Sequence, residues 1–500
     1  MRDRDLKSRF YRGLLLLPLL PALAGCNLAS PRLDGLEPAL PVQYDNSGRS
    51  ARINVTTDWV ALFGVAELTA LAARALDGNF DLDAAGARIA EADAIAIAAG
   101  SALYPQINAD ADASRSLSPG TLRSKEPPFN SSVGNRFGLG ITASYALDFW
   151  GRNRALAQAG KLSATATRYD YETVAISTLA ALCNAYFQMA VAQDRLRLAR
   201  DNIRTAERAL NALRQRLDAG TGNALEVAQQ ETLLANQRAN VPQLEQQEQQ
   251  SRNLVAVLAG RTPESLKARG ARLKAIALPR VNPGLPSALL LRRPDIAAAE
   301  ARLEAADANI TAARAAFYPS ITLTAGASLE SIALKNLLRP EALALSLASG
   351  LTQPIFNGYN LEAQLEANRA RWLELLANYR KAIVSSLADV ENALIAVRKS
   401  AETETMRARA VVSARRALDL TEQRLREGTI DVIVLVTTQQ SLFSAQDSLS
   451  LARYQRLQAL VSLFQALGGG FLREPLREPL REPLPDGRVQ NAVTATGATQ

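Results

Sequence analysis

The chain repeats itself, and the repeat limits what it can fold into. Tyr104-Pro105-Gln106-Ile107 is answered by Tyr318-Pro319-Ser320-Ile321, and each follows an Ala-rich stretch and opens an alternating segment. Phe149-Trp150-Gly151 is answered by Phe356-Asn357-Gly358 at a spacing of 207, and Arg216-Leu217-Asp218-Ala219-Gly220-Thr221 by Arg424-Leu425-Arg426-Glu427-Gly428-Thr429 at 208. Several matches in one order and at nearly one offset mark a duplicated supersecondary unit.

Long helices form half of that unit. Ile203, Ala206, Leu210, Leu213 and Leu217 sit at alternating three- and four-residue intervals, and Val411, Ala414, Leu418, Thr421 and Leu425 repeat them 208 residues later. This narrow seam of period 3.5 calls for a partner helix rather than a bulky core. Residues 152–219 contain no proline; as one helix they would span about 100 Å at 1.5 Å per residue. Gly220 and Gly428 fall where C-terminal glycines commonly end helices. Returning helices over about 223–259 and 431–466 complete two hairpins that must pack on each other or on other subunits.

Strands form the other half. Phe137, Leu139, Ile141, Ala143, Tyr145 and Leu147 alternate with small or polar residues; so do Ile107, Ala109 and Ala111, then Ile321, Leu323 and Ala325, then Leu343, Leu345, Leu347 and Leu351. One apolar face and one small or polar face over about ten residues suits a lipid-facing barrel strand around a wet lumen. A half-buried soluble sheet gives the same alternation, and the pattern alone does not separate the two. Four strands cannot close a barrel, and an open edge cannot exist in lipid, so membrane-spanning strands would have to be pooled between subunits. Ser114–Arg136 reads as a long extracellular loop and Glu330–Glu341 as its shorter counterpart.

The N-terminus states a location. Arg2, Arg4, Lys7, Arg9 and Arg12 precede an apolar stretch from Leu14 to Leu23, the pattern of an export signal. Leu23-Ala24-Gly25-Cys26 resembles a bacterial lipobox, in which diacylglycerol and an N-acyl chain are attached to the cysteine; Asn27 follows rather than the aspartate typical of inner-membrane retention. An ordinary signal peptide with a chance cysteine is the alternative. Only Cys183 then remains, so no internal disulfide forms, and Cys183 reads as a small buried seam residue. Beyond the signal, no apolar run reaches the ~20 residues of a membrane helix. The net charge of +8 is spread without a basic block, which speaks against nucleic acid. With no His at all, no cysteine cluster and no Gly-rich phosphate loop, neither an enzyme nor a resident transition-metal site is expected.

Leu285-Pro286-Ser287, Arg292-Arg293-Pro294-Asp295-Ile296, Ala299-Glu300-Ala301-Arg302-Leu303 and Phe317-Tyr318-Pro319 resemble the TolC-like outer-membrane efflux family. With the lipobox, Gly428-Thr429-Ile430-Asp431, Gln439-Gln440-Ser441-Leu442-Phe443 and Ala466-Leu467-Gly468-Gly469-Gly470, the chain is similar to the NodT-type lipoprotein branch. The resemblance implies a mainly α fold with a transmembrane β-barrel. Three chains would pool four strands each into one twelve-stranded barrel, continued by a periplasmic tunnel of helical hairpins with an equatorial mixed domain. It implies a homotrimer in outer-membrane lipid, a periplasmic adaptor (a membrane fusion protein) and a resistance-nodulation-division transporter of the inner membrane. A type I protein-secretion duct and a non-conducting coiled-coil lipoprotein are the competing readings.

Expected divisions are a signal peptide over 1–25 and a first repeat over 26–258, with strands about 104–114 and 136–148 and a hairpin about 152–258. A linker over 259–293 leads to a second repeat over 294–471, with strands about 318–329 and 342–355 and a hairpin about 359–467. The Leu-Arg-Glu-Pro repeats of 472–500 read as a disordered tail, since proline every four residues excludes a continuous helix. By resemblance, Arg216, Leu217, Gly220, Arg424, Leu425 and Gly428 occupy adaptor-docking tips; helix termination and seam packing are their alternative role. Where family members place an acidic residue or Asn at the narrowest ring, this chain has Thr437. Three threonines cannot supply the field of three carboxylates, so narrowing by Val434 and Val436 is expected instead.

Overall fold

The computed structural model describes residues 37–38, 40–45, 56–118 and 132–473. Helices α1 (Ala66–Gly78) and α2 (Phe80–Gly100) lead into strands β1 (Gln106–Ser118) and β2 (Ser132–Leu147). The first hairpin is α3 (Arg152–Asp218) and α4 (Ala224–Leu258). After a connecting segment and the single turn α5 (Leu289–Arg292), the second copy runs α6 (Pro294–Ala315), β3 (Ser320–Ser331), β4 (Leu343–Thr352), α7 (Asn360–Arg426) and α8 (Val432–Ala466). The hairpin boundaries move from 152 to 360, 218 to 426, 224 to 432 and 258 to 466, a step of 208 each time.

Residues with high helix propensity fill α3 and α7, which run 67 residues each, about 100 Å. Ala206 and Leu210 of the first seam are buried against Leu234 of α4, and Leu418 of the second against Leu435 and Leu442 of α8. Helix α2 continues the packing on the other end of α3, where Ala96 and Ala99 lie so close that a Cβ on Gly160 would meet them at 3.1–3.2 Å.

The strands form one antiparallel sheet in the order β1-β2-β3-β4, so β2 and β3 pair across the two copies. Register aligns Ile107, Ala143, Ala325 and Leu347 in one row and Ala109, Ile141, Ala327 and Leu345 in the next. The opposite face carries Asn108, Thr142, Gly326 and Ser346, then Asp110, Gly140, Ser328 and Ala344. Nothing among the described residues covers the apolar face: Leu345 is 74% and Leu347 83% exposed. A half-buried soluble sheet would bury that face. From Leu147 to Phe137 the apolar face of β2 rises about 25 Å once a strand tilt near 40° is allowed for, the height of a barrel's lipid-facing band. Among the described residues the edges of β1 and β4 find no partner strand, so closure requires neighbouring copies.

β1 and β2 pair out to Ser118 and Ser132, further than composition suggested. Ser114, Arg115 and Ser116 look like loop, but Leu117 opposite Val133 resumes the apolar parity and the backbone ladder continues. At the helix-proximal strand ends aromatics gather. Trp150 stacks on Tyr318 at 4.8 Å and its Nε1 donates to the Pro319 carbonyl (2.8 Å), while Tyr104, Phe149, Phe356 and Tyr359 are exposed around them.

The largest core lies midway along the hairpins. Trp59 stacks on Phe464 at 5.0 Å, and Phe63 meets Phe187 edge-on at 5.0 Å. Helix α3 contains a window apolar and long enough to cross a membrane, but 61% of it is buried inside the protein; Leu179–Val191 belongs to this core. Cys183 is buried there, and burial raises its thiol pKa. The connecting segment is strapped on by the Glu67 carboxylate, which accepts from Tyr186 Oη (2.8 Å), Arg269 N (2.7 Å) and Gly270 N (3.0 Å). The waist is thus built of helices, short 3₁₀ turns and extended chain, and the described strands all lie in the one sheet.

Two sequence motifs prove to be one structure. Arg293 makes a bidentate pair with Asp295 (2.9 and 2.6 Å), reaches Asp389 of α7 (3.3 Å) and donates to the Ala466 carbonyl at the end of α8 (3.0 Å). Burial opposes its charge, but the two aspartates outweigh that and raise its pKa above the ordinary arginine value. Gly468, Gly469 and Gly470 follow, all with positive φ. Chain crossings are so tight there that a Cβ on Gly468 would lie 1.9 Å from the Arg292 carbonyl oxygen, and one on Gly470 2.1 Å from Thr56.

Candidate functional site

Both hairpins end in the same device. Gly220 and Gly428 take φ of 72°; their N–H groups donate to the Leu217 carbonyl (2.9 Å) and the Leu425 carbonyl (3.1 Å). Thr221 and Thr429 each donate twice to the Arg carbonyl five residues back, from N (2.9 and 3.0 Å) and from Oγ1 (3.1 Å in both). This satisfies the carbonyls a helix end leaves open. Asn223 and Asp431 then restart the chain as N-caps, accepting from Leu225 N (3.0 Å) and Ile433 N (3.2 Å). The motif therefore uses the Arg216 and Arg424 backbones for the turn and leaves both side chains exposed, with Leu217 and Leu425 half-buried. The tips differ in sequence at Asp218/Arg426, Ala219/Glu427, Gly222/Ile430 and Asn223/Asp431; at the third of these a Cβ on Gly222 would press on Leu217 N at 2.7 Å, whereas the second tip carries Ile430.

Near the tips a groove of about 530 Å³ separates α3 from α7 and α8. Leu213, Leu425 and Leu435 line it with Arg208, Arg216 and Arg426. On α8, Val434 and Thr437 share an exposed face, but Val436 is half-buried and, two residues on, points about 200° away from Val434. The three expected constriction residues are therefore not brought together, because the helical period divides them. The Thr437 hydroxyl donates to the Ile433 carbonyl (2.8 Å), so its proton is already engaged.

Sequence reading missed two ties between the hairpins. Gln230 of α4 and Gln439 of α8 are buried, and Gln230 Nε2 donates to Gln439 Oε1 and to the Ala206 carbonyl, both at 3.1 Å. Further from the tip, Arg195 of α3 holds Asp447 of α8 through two bonds of 2.6 and 3.1 Å. The only sequence signal was a polar residue set into an apolar seam, the kind that fixes register between helices. Cys26 and the tail beyond Arg473 lie outside the described residues.

A sequence model described as "Outer membrane efflux protein" matches residues 71–261 and 285–469. The pyoverdine export outer membrane protein OpmQ of Pseudomonas aeruginosa is 36% identical over 463 residues, covering 92% of this chain and 97% of that protein. The cation efflux system protein CusC of Escherichia coli K12 is 30% identical, covering 91% and 99%. The open-state crystal structure of the Neisseria gonorrhoeae MtrE outer membrane channel superposes with a TM-score of 0.80 at 28% identity, covering 88% of this chain and 98% of that one. Members of this family are passive channels of the Gram-negative outer membrane with a large periplasmic extension, not enzymes. They are trimeric and form the outer-membrane component of tripartite efflux systems. That arrangement supplies the neighbours that the open sheet edges require. In sequence over most of its length and in fold, this chain belongs to the outer membrane efflux protein family.

Proposed function

We propose that three copies of this chain form the exit duct for small molecules, opened at its periplasmic tip by an adaptor and supplied by a resistance-nodulation-division transporter. The observation that carries this is the union of an apolar-faced, open-edged sheet with two hairpins about 100 Å long whose capped tips are exposed. Arg216, Leu217 and Gly220, with Arg424, Leu425 and Gly428, form the adaptor-facing surface, the glycines by setting the turn and the side chains by contact. The inner face of the sheet is lined largely by Ser, Thr, Ala and Gly, which suits a wet, weakly selective conduit whose cargo is chosen upstream. The names of OpmQ and CusC favour small cargo over a secreted protein. Conductance in planar bilayers tests the reading: folded trimers that open no pore would falsify it.

Val434 and Thr437, three residues apart on one exposed face of α8, line the narrow end. Thr437→Asp places three carboxylates on that ring. The K⁺/Cl⁻ permeability ratio from reversal potentials is expected to rise several-fold, by the field of three close charges; an unchanged ratio removes Thr437 from the lumen.

Cys26 carries the lipid. Leu40 packs with Leu376 and Tyr379 of α7, and Asp45 N donates to Glu391 (2.6 Å). Leu376 lies about 24 Å from the start of α7. The fourteen residues from Cys26 to Leu40 reach up to about 50 Å, enough to return to the bilayer. A palmitate analogue is expected to label the natural chain and not Cys26→Ala; equal labelling of both places the lipid elsewhere.

A further inference from the structure

We infer that the β3–β4 connection is a docking surface for the phosphorylated glycolipid of the outer leaflet. The inference rests on the barrel reading. It starts from a contrast between the two ends of the sheet. The helix-proximal end carries Tyr104, Phe149, Trp150, Phe356 and Tyr359, the aromatic belt that suits an ordinary headgroup region. The far end has no Trp or Tyr among the described residues.

Residues 332–342 stand at that far end instead, ordered by 3₁₀ turns at Leu334–Asn336 and Pro340–Ala342. Ile332 is 80%, Leu334 64% and Leu338 79% exposed. An aqueous loop does not usually present three large aliphatic side chains together; such a patch marks an interaction surface. Lys335 and Arg339 are exposed among them, and neither forms an ion pair with a described residue. Arg115 adds a third cation. It pairs in register with Asn135, one step beyond Ala113 and Phe137 on the lipid-facing parity of the sheet. Arg136 is different, since it faces the lumen and is neutralised by Glu330 at 3.0 Å.

The occupant is set by continuity and charge. Leu343, Leu345, Leu347 and Leu351 carry the apolar band of β4 directly into the connection. Aliphatic side chains at the top of such a band meet acyl chains, and Lys or Arg just above them reach an anionic headgroup. A phosphorylated glycolipid offers acyl chains and phosphates at that spacing. A neutral headgroup leaves the cations unmatched, and free phosphate leaves the leucines unmatched.

The probe is bisphosphorylated lipid A added to purified trimers in detergent, with bound lipid per trimer read by native mass spectrometry. The controls are its dephosphorylated form and inorganic phosphate as competitor. Natural trimers should retain the bisphosphorylated lipid in preference to the dephosphorylated one, with no competition from phosphate. Lys335→Gln with Arg339→Gln should weaken retention about tenfold or more, since a cation near an anionic membrane surface contributes about fivefold each. Ile332→Ser with Leu334→Ser and Leu338→Ser should weaken it with the cations kept. Undiminished retention by both variants, equal retention of the dephosphorylated form, or displacement by phosphate overturns the inference. So does loss of trimer stability without loss of lipid, which would assign the patch to subunit contact. Conductance of the same trimers separates the two failures: pores that open without retaining lipid refute this inference alone.

Discussion

Gly428→Pro abolishes efflux while leaving the trimer assembled. At φ of 72° the native residue lies far from the −65° that a proline ring imposes. The substitution also deletes the N–H that donates to the Leu425 carbonyl at 3.1 Å and pushes Glu427 out of its helical conformation. The local cost is about 2–4 kcal/mol from strain and the lost bond together, enough to rebuild the turn. It stays local because the tip is about 100 Å from the barrel along α7 and nothing lies within 4 Å of a Cβ at that glycine. Gly428→Ala, in open space, carries only the left-handed φ penalty of about 1–2 kcal/mol and should keep most activity. Complementation of an efflux-deficient host gives the functional readout, and heat-resistant trimer bands on gels give the structural one. Full resistance from assembled Gly428→Pro trimers removes the tip from docking; missing trimers make the turn an assembly element instead.

The features legible in the sequence were those written in short periods. Alternation at Phe137–Leu147 gave the faces of β2, and the intervals in Ile203–Leu217 gave the seam of α3, because each pattern is complete within one element. The extension of β1 to Ser118 was hidden by polar residues whose pairing depends on the opposite strand. Helix α1 and the turn at Trp59–Phe63 were not singled out, since their apolar residues answer to the distant Phe187 and Phe464 rather than to a local repeat. The partners of Gln230 and Arg195 are hidden for the same reason, each lying on the other hairpin. Val434 and Val436 are the reverse case: the helical period alone sets residues two apart on nearly opposite faces, with no distant partner needed to see it. Docking chemistry at the tips stays with the partner, whose residues no single chain contains.

Gly468→Ala dissociates the trimer or prevents its formation. Arg293 fastens the end of α8, the start of α6 and Asp389 of α7 into one joint. The three glycines let the chain leave that joint through gaps of backbone width. A methyl group at 468 has no room, with the Arg292 carbonyl oxygen 1.9 Å from the ideal Cβ position, and φ of 83° is strained for any L-residue. Strain contributes about 1–3 kcal/mol and overpacking about 1–3 kcal/mol more. The obstruction is backbone, which cannot swing aside as a side chain would, so α8 must shift against α6. That displaces the large core where Phe464 stacks on Trp59, four residues before the glycine. Gly350→Ala is the matched control: it lies on the lumen face of β4 and a Cβ there meets nothing within 4 Å. Thermal dissociation of trimers followed on gels should show Gly350→Ala unchanged and Gly468→Ala lowered by several degrees, on the order expected for several kcal/mol in a chain this long. Equal stability of the two variants would mean that the joint yields without cost and that Arg293 does not govern how the hairpins are held below the barrel.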